Sequence, residues 1–317
     1  MAVVSFPARA GIRHLLSAAD AGALGLERLM VRSEWLRRDR RIRRVAEPLA
    51  GLHVALLFEK PSLRTKMSFE VGIAALGGRV TYLGPSEVGI GKRESAADVG
   101  RNLSRWVDAI VVRTFSHAGL EELADASTVP VINALTDREH PCQALADLLT
   151  LRQHLGSSRG RRLAFVGDGN NVVHSLLLAG ALAGLEVRVA TPWRYAPDPQ
   201  IVGRARQIAA GTGGAVAIGT DPAEAVTGAD AVYTDVWTSM GAEAEAAARM
   251  AAFGPYQVNA ELLAHAPDAL VMHCLPAHRG QEITDEVLDG PRSVVLDQAE
   301  NRLYAQQAVL LELLAAG

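Results

Sequence analysis

The sequence is poor in the features that would place it in a specialised class. It has two cysteines, Cys142 and Cys274, too few for the web of bridges that staples small extracellular domains. It lacks a basic excess: the formal net charge is -3 at pH 7, which argues against a polyanion-binding surface and against nucleic acid as a partner. The clusters Arg37-Arg38-Asp39-Arg40-Arg41 and Arg43-Arg44 read instead as the wet face of an amphipathic helix. No apolar run approaches membrane-spanning length, and the opening Met1-Ala2-Val3-Val4-Ser5 leads to no apolar signal core, so no membrane association is expected. No spacing of His, Cys, Asp and Glu suits a metal, and none is expected. Internal repeats and low-complexity linkers are absent as well. These exclusions leave a cytoplasmic, enzyme-like protein.

What is present is enough apolar chain for two cores: 317 residues, 49% of them hydrophobic. Residues 18–41 read as a helix with Ala23, Leu26, Leu29 and Met30 on its apolar face. Strands are expected at 53–58, 79–83, 108–112 and 129–133, with helices from Thr65 and over 95–106 between them and a glycine-rich turn running through Gly91. A second alternation follows: strands at 162–166, 186–190, 215–218, 231–234, 269–273 and 293–296, and a helix over 172–183. Asp221-Pro222-Ala223-Glu224 resembles a capping box with Pro at the first helical position. Residues 298–314 form one amphipathic helix. Strands alternating with helices predict an α/β fold of two lobes, each a mostly parallel β-sheet flanked by helices. The expected boundaries are 1–150 and 151–297, with the helix 298–317 returning to the first lobe and a hinge near His140-Pro141.

In open parallel sheets ligands bind beyond the carboxyl ends of the strands, so the residues just after each strand carry the information. They are Ser62, Arg64 and Thr65; Arg113 and Thr114; Asp168 to Asn171; Asp235 with Ser239-Met240-Gly241; His273-Cys274-Leu275-Pro276; and Glu300-Asn301-Arg302. His140-Pro141-Cys142-Gln143 joins them at a helix start. In Pro61-Ser62-Leu63-Arg64-Thr65, helix-start N–H groups, two hydroxyls and a guanidinium offer many donors to one small volume, which suits a tetrahedral oxyanion. The competing reading makes Ser62 a helix cap and leaves Arg64 on a solvated face. Gly167-Asp168-Gly169 after a strand invites a dinucleotide, but Val172 stands where the third glycine belongs and the strand ending Val189-Ala190-Thr191 offers no acid for a ribose. No cofactor is expected. Cys142 reads as a packing residue, His273 as a structural histidine at a strand end, and Asp168 as a brace of its own turn.

Ser62-x-Arg64-Thr65, His140-Pro141-x-Gln143, Asp235-x-x-x-Ser239-Met240-Gly241, His273-Cys274-Leu275-Pro276 and Asp297-x-x-Glu300-Asn301-Arg302 occur in the order found in the ornithine carbamoyltransferases, which the chain resembles over essentially its whole length. The first-lobe motifs are shared with aspartate carbamoyltransferase, and the second-lobe motifs point to ornithine. The resemblance implies transfer of a carbamoyl group from carbamoyl phosphate to the δ-amine of L-ornithine, in arginine metabolism, with the anabolic or catabolic direction left open. It implies carbamoyl phosphate on Ser62, the Leu63 backbone, Arg64, Thr65, Arg113, His140, Gln143, Cys274, Leu275 and Arg302. L-Ornithine falls to Asn171, Asp235, Ser239 and Met240, and Cys274 and the Leu275 carbonyl also meet its δ-amine. Arg113, His140 and Cys274 are the expected catalytic residues. A homotrimer, or a multiple of trimers, is implied, with the site near a subunit interface. Two positions depart from the family: Leu63 replaces the commonest Thr, and Gly89 stands where many members place a Gln that reaches a neighbouring subunit, leaving Lys92 or Arg93 as a substitute cation. Transfer to putrescine or to an N-acylated ornithine is disfavoured because either would leave Asp235 no α-ammonium to pair with.

Overall fold

Short runs of Val, Leu, Ile and Ala, buried on both faces, build two parallel sheets. The computed structural model describes residues 12–41, 47–90, 93–238 and 243–314. The chain divides into one unit of Met1–Leu145 with Arg302–Gly317 and a second of Ala146–Asn301. The divisions fall inside the helices Pro141–Leu155 and Val295–Leu314.

In the first unit, β1 (His53–Phe58), β2 (Arg79–Leu83), β3 (Ala109–Arg113) and β4 (Val131–Leu135) form a four-stranded sheet ordered β2-β1-β3-β4, every pair parallel. Parallel pairing demands crossovers, supplied here by the helices Leu63–Ala75, Ala96–Leu103 and His117–Ala126. The central strands are almost wholly buried, whereas edge strand β2 is half-wet, as two-sided coverage of a parallel sheet requires. Phe58 pairs in register with Arg113, so the chain leaves β1 and β3 at the same level. The order reverses between these two strands, and a crevice at such a switch point is where α/β sheets take ligands. The C-terminal helix closes this unit: Glu312 pairs with Arg28 at 3.2 Å and Arg32 at 3.0 Å, and Gly72 lets it approach, since a Cβ there would lie 3.2 Å from Gln307 and 3.3 Å from Leu303.

The second unit carries β5 (Arg162–Val166), β6 (Glu186–Ala190), β7 (Ala215–Gly219), β8 (Ala231–Thr234) and β9 (Leu270–His273), parallel throughout and ordered β7-β6-β5-β8-β9. Its switch point lies between β5 and β8. Val166, Ala190, Val232, Trp237, Phe253 and Tyr256 share one core, which holds the chain just beyond β8 against the sheet.

Three expectations are corrected. Residues 293–296 are not a strand: Ser293 makes a single bridge to Val271, and the last helix begins at Val295, three residues earlier than expected. An apolar run of three residues does not distinguish a strand from a helix start by periodicity. The first helix begins at Gly22, not at 18, because the Asp20 carboxylate accepts the Leu16 and Ser17 N–H groups at 2.8 Å each and makes a turn there. Ala23 accordingly is exposed, while Leu26, Leu29 and Met30 are buried.

Candidate active site

In the first unit, Ser62 caps the helix Leu63–Ala75, its Oγ accepting the Thr65 N–H at 3.3 Å. The capping reading of Ser62 is therefore realised, and it leaves the other first-turn N–H groups and the Arg64 side chain beside it. The Leu63 side chain is exposed and Thr65 is buried. Arg302, from the last helix, donates from Nη2 to the Thr65 Oγ1. Arg113 ends β3, where the β3–β4 register shifts between Val112 and Arg113; irregularities of this kind re-aim side chains at sheet ends. His140 precedes the helix Pro141–Leu155, and its carbonyl accepts the Gln143 N–H at 3.1 Å. Arg113, His140, Gln143 and Arg302 are all buried.

The electrostatics of this cluster are one-sided. Burial, then the Arg302 and Arg113 guanidiniums, hold the His140 imidazole well below its ordinary range. A histidine kept neutral beside two cations remains a hydrogen-bond donor without adding a third charge, and the surroundings favour an incoming anion. Cys142, between His140 and Gln143 in the chain, has a different fate: its thiol is fully buried, donates to the Asn133 carbonyl at 3.4 Å, and is pushed by burial up to about 12. A thiol so hard to ionise is chemically inert, as the packing reading holds.

In the second unit, the Asp235 carboxylate emerges from β8 buried and held at both oxygens. Oδ2 accepts from Asn170 Nδ2 at 2.8 Å and Oδ1 from the Cys274 Sγ at 3.0 Å. Asn170 is also the cap of the helix Asn171–Ala183, its Oδ1 accepting the Val172 and Val173 N–H groups at 2.9 and 3.3 Å. One side chain thus fixes both the helix start and the carboxylate. Asn171 is the first residue of that helix, half-buried. Ser239 and Met240 lie outside the described residues, as does Lys92; Arg93 is exposed, and Gly89, at φ 56°, adopts the left-handed conformation that favours glycine.

Residues that sequence spacing did not single out complete this cluster. Arg249, on the helix Ala246–Phe253, donates from Nη1 to the Asp168 carboxylate and the Trp237 carbonyl, both at 2.9 Å, and lies 4.7 Å over the Tyr195 ring. Burial raises the Asp168 carboxyl to about 6, against the pull of Arg249. Asp168 therefore braces its turn through an arginine from an Ala-rich stretch with no periodicity to mark it. The glycines of that turn also have a local cause. A Cβ on Gly169 would lie 2.4 Å from the Tyr195 oxygen and the Pro197 nitrogen, so the close approach of the 195–197 backbone is what requires glycine there.

Asp235, His273 and Cys274 bring possible metal-ligand atoms within 4.8 Å of one another, a cluster that spacing along the chain concealed because its members come from two strand ends. Both His273 ring nitrogens are engaged, Nδ1 by the Leu275 N–H at 2.8 Å and Nε2 by Glu282 at 3.2 Å. The cluster therefore has a carboxylate and a thiol, bonded to each other, to offer an ion.

The chain matches two family models: aspartate/ornithine carbamoyltransferase, carbamoyl-P binding domain, over residues 13–153, and aspartate/ornithine carbamoyltransferase, Asp/Orn binding domain, over residues 159–313. It is 50% identical over 306 residues to an ornithine carbamoyltransferase of Methanoculleus marisnigri, covering 96% of this chain and 98% of that protein. An anabolic ornithine carbamoyltransferase of Pyrococcus furiosus is 53% identical over 263 residues, 83% of this chain and 84% of its own. Among solved structures, the ornithine carbamoyltransferase from Pyrococcus furiosus superposes with a TM-score of 0.94 at 47% identity, covering 96% of this chain and 98% of that one.

Proposed function

The chain belongs to the ornithine carbamoyltransferases of the aspartate/ornithine carbamoyltransferase family, and from that premise we propose which of its residues carry the transfer from carbamoyl phosphate to the δ-amine of L-ornithine, giving L-citrulline and phosphate. The phosphate rests on the Ser62 hydroxyl, the Leu63 backbone, Arg64 and Thr65, with Arg302 beside Thr65. The carbamoyl carbonyl faces Arg113, His140, Gln143 and the Thr65 hydroxyl. Asp235 pairs with the α-ammonium of ornithine, with Asn171, Ser239 and the Met240 backbone at its carboxylate and amino end. Cys274 and the Leu275 carbonyl meet the δ-amine and border the carbamoyl group.

The δ-amine attacks as its free base, having given up the proton that alkylammonium groups hold to about pH 10. Its lone pair forms the C–N bond, and the carbonyl electrons move onto oxygen. Arg113, neutral His140 and Thr65 donate to that oxyanion, each worth a few kcal/mol in such settings. The C–O bond to phosphate then breaks as the carbonyl re-forms, and one oxygen of the departing phosphate accepts the proton shed by nitrogen. No protein base is required for that last transfer.

The observation that carries the ornithine reading is the buried Asp235 carboxylate between Asn170 and Cys274. Such a group attracts an ammonium and repels the second carboxylate of aspartate. We further infer the biosynthetic direction, from the relative named as anabolic, and a homotrimer or a multiple of trimers, from the family likeness. Among the described residues no helix is long and apolar enough to cross a membrane, which accords with a cytoplasmic enzyme. Initial rates test the assignment: citrulline should form only when both substrates are present. Turnover of aspartate with none of ornithine refutes it.

A further inference from the structure

His273 and Glu282 are fully buried, and the transfer described above uses neither. Their hydrogen bonds form a directed chain. The Leu275 N–H donates to His273 Nδ1 at 2.8 Å, so that nitrogen must carry the lone pair. The neutral ring then holds its proton on Nε2, 3.2 Å from Glu282 Oε1, which also accepts the His278 N–H at 2.5 Å. A carboxylate thus selects the imidazole tautomer, and the tautomer selects the partner amide. That amide belongs to Leu275, at φ 56° the one non-glycine residue of positive φ among the described residues. Branched side chains rarely adopt this conformation, and where one does the surroundings hold it there, often next to chemistry. A second clamp acts on the same turn: Gln298 accepts the His273 N–H at 2.9 Å and donates to Asp147 at 2.8 Å.

We propose that the His273–Glu282 pair is a positioning device for the acceptor amine, setting the Leu275 peptide and with it the Cys274 thiol and the Leu275 carbonyl. The inference rests on the functional reading above, in which those two groups meet the δ-amine. Carbamoyl phosphate is held mainly by the first unit, and the α-amino-acid end of ornithine by Asn171 and Asp235, whose carboxylate keeps its Asn170 bond when the Cys274 thiol shifts. Loosening the turn should therefore slow the chemical step while leaving substrate binding nearly intact.

Steady-state kinetics on the full-length enzyme with both substrates decide it. H273L, which removes the acceptor, should lower kcat at least 100-fold with both KM values within threefold. In H273N the side-chain oxygen falls near the position of Nδ1 and can still receive the Leu275 N–H, so kcat should recover at least tenfold over H273L. In H273Q the acceptor falls near Nε2 instead, and kcat should stay at the H273L level. Because H273L strands a buried carboxylate, the same three variants are also made in E282Q, which buries no charge there. A kcat within threefold of wild type in H273L, or H273N no better than H273Q in either background, overturns the proposal. A wild-type enzyme that makes citrulline while showing either result sinks this inference alone. One that makes none overturns the functional reading and this inference together.

Discussion

Replacing Asp168 with Asn should make the protein more stable above pH 6, although it removes a buried ion pair. The carboxylate lies 2.9 Å from Arg249, yet burial outweighs that partner and raises its titration from 3.8 to about 6. Between those pH values the folded state holds a proton that the unfolded chain has released. The contribution of this group to stability therefore falls as pH rises from about 4 to about 6, and the loss is complete above that. At roughly 1.4 kcal/mol per pH unit, ionising this group in place costs about 3 kcal/mol. Asparagine mimics the protonated acid, since its oxygen still accepts from Arg249 Nη1, and it never ionises. Urea unfolding of wild type and D168N at half-unit steps from pH 4 to 8 should show coincident midpoints at the acid end. The variant should pull ahead through the window and gain up to about 3 kcal/mol at pH 7. A D168N protein less stable than wild type at pH 8 refutes the reasoning, because the ion pair would then be worth more than the burial it requires.

Other outcomes follow from the two clusters. Arg64→Ala should weaken carbamoyl phosphate binding severely, on the order of 10- to 100-fold for one charge-assisted donor; unchanged affinity by titration calorimetry removes the anion-site argument. Asp235→Ala should raise the KM for ornithine far more than that for carbamoyl phosphate, and equal effects on both deny the carboxylate its α-ammonium role.

Much of this architecture was legible because it is local. The parallel α/β alternation follows from buried apolar runs bounded by Gly, Pro and caps, and the strand ends point to Arg113 and Asp235 within a residue. What escaped is what only tertiary contact creates. Arg249 sits among alanines, and nothing near it in sequence announces Asp168 or the Trp237 carbonyl, 81 and 12 residues away. Asn170 falls among the residues just after a strand, where ligands are expected, but its grip on Asp235 spans 65 residues. Glu282 meets His273 across nine residues of irregular chain, where neither the helical nor the strand period applies. The misread strand at 293–296 shows the converse limit: a short apolar run fixes burial before it fixes conformation.

His140 supplies the opposite pH slope to Asp168, and the pair of variants separates them. Its titration lies well below 6.5 because burial and the Arg302 and Arg113 charges all disfavour the imidazolium. As pH falls below 6.5 the unfolded chain takes up a proton that the folded state refuses, so this group's contribution is fully present above 6.5 and is lost in acid. Where the two windows overlap the groups pull against each other, and wild type shows only their difference. In D168N the His140 slope should stand exposed, with stability rising steadily toward pH 6.5. In His140→Gln the Asp168 slope should remain, with stability falling as pH rises to about 6. The double variant should lose both slopes. If His140→Gln instead leaves the wild-type profile unchanged, the imidazole is not held neutral, and it would enter the oxyanion site already charged beside two guanidiniums.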